Sequence, residues 1–184
     1  MSRSHTDPLL LPDTATDHIL GPASARVTLI EYGDVESPAC REANTAVHIL
    51  LKEHPKHLRV VYRHFPETEI HPHAEPAAEA AEAVAAQGLF WPYLDLLLAN
   101  QEHLKENALR HYADRVGADL IRYDHEMHER IYLQRVQEHI AGARHLGIRS
   151  MPAFFVNGVL IDISFGLERL DRAVTRVFEG QAPA

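Results

Sequence analysis

A single cysteine, Cys40, is all the thiol chemistry this 184-residue chain carries, and that shortage excludes an internal disulfide under any redox condition. Neither a disulfide-stapled scaffold nor a self-contained dithiol couple is possible. Apolar runs are short as well. None approaches the roughly 18 residues that a membrane span needs, and Leu9 to Leu11 is a brief interruption in a polar start. Met1 to Asp17 lacks the basic stretch and following apolar core of a secretory leader, so the expected location is cytoplasmic. Cationic charge is scarce: 18 Lys and Arg stand against 26 Asp and Glu, for a formal charge of −8. That balance argues against nucleic acid or an anionic membrane surface as a partner. The 14 histidines let the negative charge shrink below about pH 6.5. What remains, 46% hydrophobic and 24% charged residues, is the make-up of one globular domain with a substantial core.

The stretch that organises the chain is Val27 to Arg41, VTLIEYGDVESPACR. A β-branched and aromatic run, near-continuously apolar as in a strand covered on both faces, ends at Gly33-Asp34. Ser37-Pro38-Ala39-Cys40 then opens a helix, with Ser37 in the cap position and Pro38 in the first turn, where its missing N–H costs nothing. A helix N-terminus presents unpaired N–H groups and a positive dipole end. A thiol placed there drops from about 8.5 to roughly 3.5–7.5 in pKa and becomes a nucleophile. Ser37 cannot do this, because an alcohol ionises far less readily and forms no disulfide. Cys40 feels opposed effects, the helix end lowering its pKa and burial raising it.

The other elements follow from periodicity and breakers. Residues 1–16 are read as a flexible arm, with room for a short strand before residue 20, and residues 17–184 as a single domain. The first helix is expected over Pro38 to His54, with Ala39, Ala43, Val47, Leu50 and Leu51 on one face and Pro55 closing it. Arg59 to Phe65 reads as the next strand, parallel to the first through a right-handed crossover. From about residue 71 to 146 the pattern is helical: Ala-rich over Pro76 to Gln87, then Phe90 to Asn100 with Trp91, Leu94, Leu97 and Leu98 on the core. Leu104 to Val116 follows, then two helices from Asp119, itself an N-cap, to His145. Asn157-Gly158 between Phe154-Phe155-Val156 and Val159-Leu160-Ile161 signals a hairpin. Leu167 to Phe178 closes the chain, with Leu167, Leu170, Val174 and Val177 inward.

The strand followed by Ser37-Pro38-Ala39-Cys40 resembles the active-site segment of the DsbA-like branch of thioredoxin-fold proteins, with the first cysteine of the Cys-x-x-Cys motif replaced by serine. DHILGPASA, HPHAEPAAEAAEAVAAQGLFW and YLDLLLANQ are similar to that branch in residues and spacing, and the resemblance covers roughly Asp17 to Phe178. It implies an α/β thioredoxin-like fold with an all-helical insertion at about 71–146. It also implies a cis-proline at Pro152, beside the active-site helix, which turns the Met151 carbonyl and amide outward for an extended ligand. Met151 departs from the small or β-branched residue usual before that proline, and serves either packing or ligand contact.

The resemblance makes Ser37 and Cys40 the candidate catalytic positions and Pro38, Ala39, Met151 and Pro152 the candidate binding positions, and it implies a shielded Cys40, so that burial is expected to prevail over the helix end and leave a poorly reactive thiol. The residues point to a degenerate site, unable to exchange dithiol and disulfide, that keeps a groove for an extended peptide or a small thiol. Two alternatives stand beside it. Asp34-Val35-Glu36-Ser37-Pro38 is similar to the D-x-x-S-P segment of kappa-class glutathione transferases and the related isomerases, in which a serine faces the glutathione thiolate. Cys40 could also act alone, through sulfenic acid or glutathionylation. No resident cofactor is expected, glutathione being the one small molecule in view. His64, His71 and His73 invite a metal, but no recognised ligand spacing accompanies them, and no metal site is assigned. Asp34 and Glu36 flank Ser37 as candidate proton acceptors or as solvated loop carboxylates.

Overall fold

The computed structural model describes residues 7–183. The described chain packs as two compact units, one of residues 7–32, 45–63 and 153–183, the other of 33–44 and 64–152.

The first unit carries the sheet. Its strands are β1 (His18–Leu20), β2 (Val27–Gly33), β3 (Leu58–His64), β4 (Ala153–Val156) and β5 (Val159–Ile161). They lie in the order β1-β3-β2-β4-β5. The two central strands, β2 and β3, are buried at every position but the second, as runs covered on both faces must be. Pairing is antiparallel between β2 and β4, Ile30 opposite Phe155 and Glu31 opposite Phe154, and again between β4 and β5. The expected hairpin forms: Asn157 and Gly158 both take positive φ, +47° and +83°. The Asn157 side chain fixes it to the start of β2, accepting from Thr28 N–H at 2.8 Å and donating to the Arg26 carbonyl at 3.2 Å. Gly21 has no substitute, since a Cβ there would sit 2.5 Å from the Leu58 carbonyl oxygen.

A buried cation ties down the start of the chain. Residues 1–6 of the expected arm fall outside the described residues, but Pro8–Leu10 form a 3₁₀ turn capped by Asp7. The Arg63 guanidinium on β3 donates to Asp17 Oδ1 and Oδ2 at 2.8 and 2.7 Å, to the Leu11 carbonyl at 3.1 Å, and to Tyr32 Oη at 3.0 Å. It also takes the Leu9 carbonyl. With both side chains nearly inaccessible, neutralising the anion leaves a charge uncompensated. Asp17→Asn is expected to cost about 2 kcal/mol, the value of a charge-assisted bond, measured as a shift in urea midpoint. An unchanged midpoint would show that the cluster contributes nothing net.

α1 (Pro38–Glu53) runs from the second unit into the first. Its inward face differs from the expected one. Cys40, Ala43, Val47 and Leu50 are buried, Leu51 is half-buried, and Ala39 is exposed. The stripe follows a spacing of three, four and three residues from Cys40, which a five-residue list beginning at Ala39 approximated one position early. α7 (Glu168–Phe178) buries Leu170, Ala173 and Val174, with Leu167 and Val177 half-buried.

The second unit holds the helical insertion: α2 (Ala74–Ala85), α3 (Phe90–Ala99), α4 (Glu106–Arg115), α5 (Leu120–His128) and α6 (Leu133–His145). α2 is its centre and packs against the other four. Alanine suits that position because small side chains on every face let neighbours close in, and Ala74, Ala77, Ala78, Ala80, Ala81 and Ala83 are all buried. Asp119 caps α5 as expected, accepting from the N–H groups of Ile121 and Arg122. On α3 the buried residues are Phe90, Tyr93, Leu94, Leu97 and Leu98. Trp91, expected on the core, is half-exposed, and Tyr93 takes the inward place, donating from its hydroxyl to the Leu109 carbonyl at 3.0 Å.

Candidate functional site

Six residues singled out by sequence, Ser37, Pro38, Ala39, Cys40, Met151 and Pro152, all fall in the second unit. The chain leaves β2 at Gly33, whose carbonyl accepts from Phe65 N–H at 2.8 Å. It turns at Asp34, whose Oδ1 accepts from Glu36 N–H at 2.8 Å and whose carbonyl accepts from Ser37 N–H at 3.1 Å. This is the local side-chain-to-backbone bonding that suits Asp to a turn before a helix. The Ser37 carbonyl then accepts the first helical bonds, from Cys40 N–H at 3.1 Å and Arg41 N–H at 3.2 Å.

Exposure divides the four motif residues. Pro38 and Ala39 face solvent, Ser37 is 5% exposed, and Cys40 is fully buried. The Cys40 sulfur accepts the Asp34 N–H at 3.3 Å. Among the four motif residues the sulfur is thus the most deeply placed group. Met151, 8% exposed, and Pro152 are buried, and the bond between them is cis.

Around the motif runs a set of polar contacts that local sequence patterns do not reveal. Gln101, buried in the turn that follows α3, donates from Nε2 to the carbonyls of Val35 at 2.8 Å and Ser37 at 2.7 Å. It holds the loop from the insertion side. Asp34 Oδ2 accepts from Glu67 N–H at 2.7 Å and pairs with His71 Nδ1 at 2.9 Å. Glu36 does the same for His73, accepting its N–H at 2.8 Å and meeting its Nδ1 at 3.1 Å. Both carboxylates are therefore engaged in positioning, and neither reaches toward Ser37 as a free base. Burial, and then the charge of Asp34, push the Glu67 carboxyl above its usual range, with His71 opposing.

Each histidine that suggested a metal has its own carboxylate: His64 meets Glu82 at 3.3 Å, His71 meets Asp34, and His73 meets Glu36. Ligand atoms of Asp34, Glu67 and His71 do lie within 4.8 Å of one another. The Asp34 oxygen is already shared between a backbone N–H and the His71 ring, so the arrangement is built as a hydrogen-bonded cluster before any cation is considered.

A sheet ordered β1-β3-β2-β4-β5, a helix opening at its second strand's end, a cis bond before Pro152 and a helical insertion define a DsbA-like thioredoxin fold. A family model described as Thioredoxin matches residues 13–176, and the chain belongs to that family. Among solved structures, BdbD from Bacillus subtilis superposes with a TM-score of 0.80 at 18% identity, covering 92% of this chain and 96% of that one. A thioredoxin-like oxidoreductase from Silicibacter pomeroyi gives 0.75 at 28% identity, covering 94% of each. In sequence the chain is 43% identical over 173 residues to part of the Na(+)/H(+) antiporter NhaA 1 of Salinispora arenicola, covering 94% of this chain. The chain spans only 26% of that relative's length. Among the described residues no helix is long and apolar enough to cross a membrane.

Proposed function

We propose that this chain binds an extended peptide or a small thiol at Ser37 and the Met151-Pro152 bond, without exchanging disulfides. The observation that carries the reading is the division of labour within the motif. Its only sulfur is fully buried, and the first position of the motif carries a hydroxyl, 5% exposed, beside the exposed Pro38 and Ala39. Disulfide exchange begins with a thiolate attacking a client disulfide, and a second thiol resolves the mixed disulfide. With the attacking thiol absent and Cys40 inaccessible, the first step has no agent. What survives is the binding half of the chemistry: the positive end of the helix dipole, a hydroxyl, and a strand-like edge before β4. In an insulin-disulfide reduction assay the untagged chain is expected to run at the uncatalysed rate, and appreciable turnover would contradict the reading.

A glutathione-dependent enzyme is the second reading, favoured by the hydroxyl at the helix start. There it can donate to a substrate thiolate that the helix N-terminus also stabilises. Calorimetry with millimolar glutathione, then an activity assay, separates the two. Saturable heat that vanishes in Ser37→Ala establishes a thiol site at Ser37, and turnover of an electrophile with glutathione then selects the enzyme, whereas no heat removes both thiol readings and leaves peptide binding. Because the antiporter relatives are much longer chains, peptides drawn from such an antiporter belong in the first peptide screen.

A further inference from the structure

The helical insertion contains a cavity that the reading above leaves unused. It measures about 920 Å³, within the range of roughly 300–1,000 Å³ typical of pockets for small organic ligands. Its apolar lining comes from Leu104, Leu109, Tyr123 and Met127. Its ionisable lining is unbalanced: Glu75, Glu79, Glu106 and Asp124 stand against Arg110 and Arg130, two more carboxylates than guanidiniums, with His73, which meets Glu36, and His128 also on the wall.

The pairing within that wall shows where the excess sits. Arg110 grips Asp124 through two bonds of 2.8 and 2.9 Å, so that pair is neutral. Arg130 is divided between two anions, bonding Glu75 Oε1 at 2.8 Å and both oxygens of Glu79, which is 3% exposed. Glu106 adds a carboxylate on α4. An apolar floor beneath a wall short of cations is complementary to a molecule that is apolar along its body and positive at one end.

The backbone at Arg130 indicates that the wall is held in place at a cost. Gly88, Gly117 and Gly147 follow α2, α4 and α6 with φ of +78°, +86° and +74°, the left-handed close that glycine adopts freely. After α5 the same place is taken by Arg130, with φ of +50°. Its N–H bonds the Met127 carbonyl and the next N–H bonds the Glu126 carbonyl, so the helix closes as the others do. A side chain in this region is strained relative to glycine. Here that side chain spans to α2 and fixes Glu75 and Glu79 at the cavity wall.

We propose that this cavity binds a small amphipathic cation, a primary ammonium or guanidinium on a short apolar body. The proposal does not depend on the reading of Ser37. The test is a fluorescence titration of the full chain with dansylcadaverine, which carries an aromatic head and a terminal ammonium, against dansylglycine, which carries a carboxylate. Saturable binding of the cation is expected, none of the anion, and weakening as salt is raised. Glu106→Gln, on an exposed helix face, should weaken binding about fivefold. Met127→Lys, which places a cation in the cavity, should abolish it while the helical circular dichroism stays unchanged. No saturable binding of the cation, equal binding of the anion, or undiminished binding in folded Met127→Lys would each overturn the proposal.

Discussion

Ser37→Cys converts the chain into an insulin-disulfide reductase with activity at least tenfold above the uncatalysed rate. Cysteine differs from serine by one atom, and the features that hold position 37 are made by its backbone. Its carbonyl accepts from Cys40 and Arg41 N–H and from Gln101 Nε2, and its N–H donates to Asp34. All of these survive the exchange. A thiol there inherits the helix N-terminus, which lowers a thiol pKa from about 8.5 to roughly 3.5–7.5 and makes the thiolate abundant at neutral pH. Cys40 lies three residues on, one turn along the same helix, where a resolving thiol is required. Its burial shields it until the mixed disulfide forms locally. Air-oxidised Ser37→Cys should lose two hydrogens in intact mass and regain them with dithiothreitol, and Ser37→Cys with Cys40→Ala should do neither. A folded Ser37→Cys protein that stays silent in the insulin assay would show that more than one thiol has been lost from the site.

How far the site was legible in the sequence depends on the range of the interaction. The strand into Gly33, the helix start at Pro38, the Asn157-Gly158 turn and the Asp119 cap are set by residues within about four positions of each other, and local chemistry announces them. The same is true of the loop in which Pro152 lies, where resemblance supplied the rest. Gln101 could not be found this way. It acts on carbonyls 64 and 66 positions away, and nothing in ANQEH marks it out from a solvated glutamine. Asp34 and Glu36 were visible as carboxylates beside Ser37, but their partners, His71 and His73, are each 37 residues downstream. A carboxylate's role, base or brace, is decided by what already occupies its lone pairs. Cys40 is buried, as the resemblance implies for the second cysteine of the motif, but the exposure of Ala39 on α1 is the subtler case. Adjacent residues on a helix are 100° apart, so a face drawn one position off misassigns its edge while keeping its middle, Ala43, Val47 and Leu50.

Glu31 was the other residue that a near-continuously apolar strand concealed, and it governs the second large effect. It sits in the middle of β2 opposite Phe154, 2% exposed, and its Oε1 has no hydrogen-bond partner among the described residues. Burial alone raises its carboxyl from 4.5 to about 8, because the charged form has lost its water without gaining a cation. The consequence for stability has a definite sign. Below about pH 4.5 the group is protonated folded or unfolded and contributes no pH dependence. Between about 4.5 and 8 the folded chain holds a proton that the unfolded chain releases, so stability falls as pH rises, and above about 8 the full penalty is present. At 1.36 kcal/mol per unit the shift corresponds to about 3–5 kcal/mol, the lower figure allowing for local relaxation. Glu31→Gln keeps the shape and the hydrogen-bonding atoms of the protonated acid but cannot ionise. Its urea midpoint should match that of the unaltered chain at pH 4, exceed it increasingly up to about pH 8, and keep a constant lead beyond. The two proteins share every other ionisable group, so the remaining contributions cancel in the difference. Two stability curves that run parallel from pH 5 to 9 would show that Glu31 is ionised in the folded chain at neutral pH, with its charge answered by the protein.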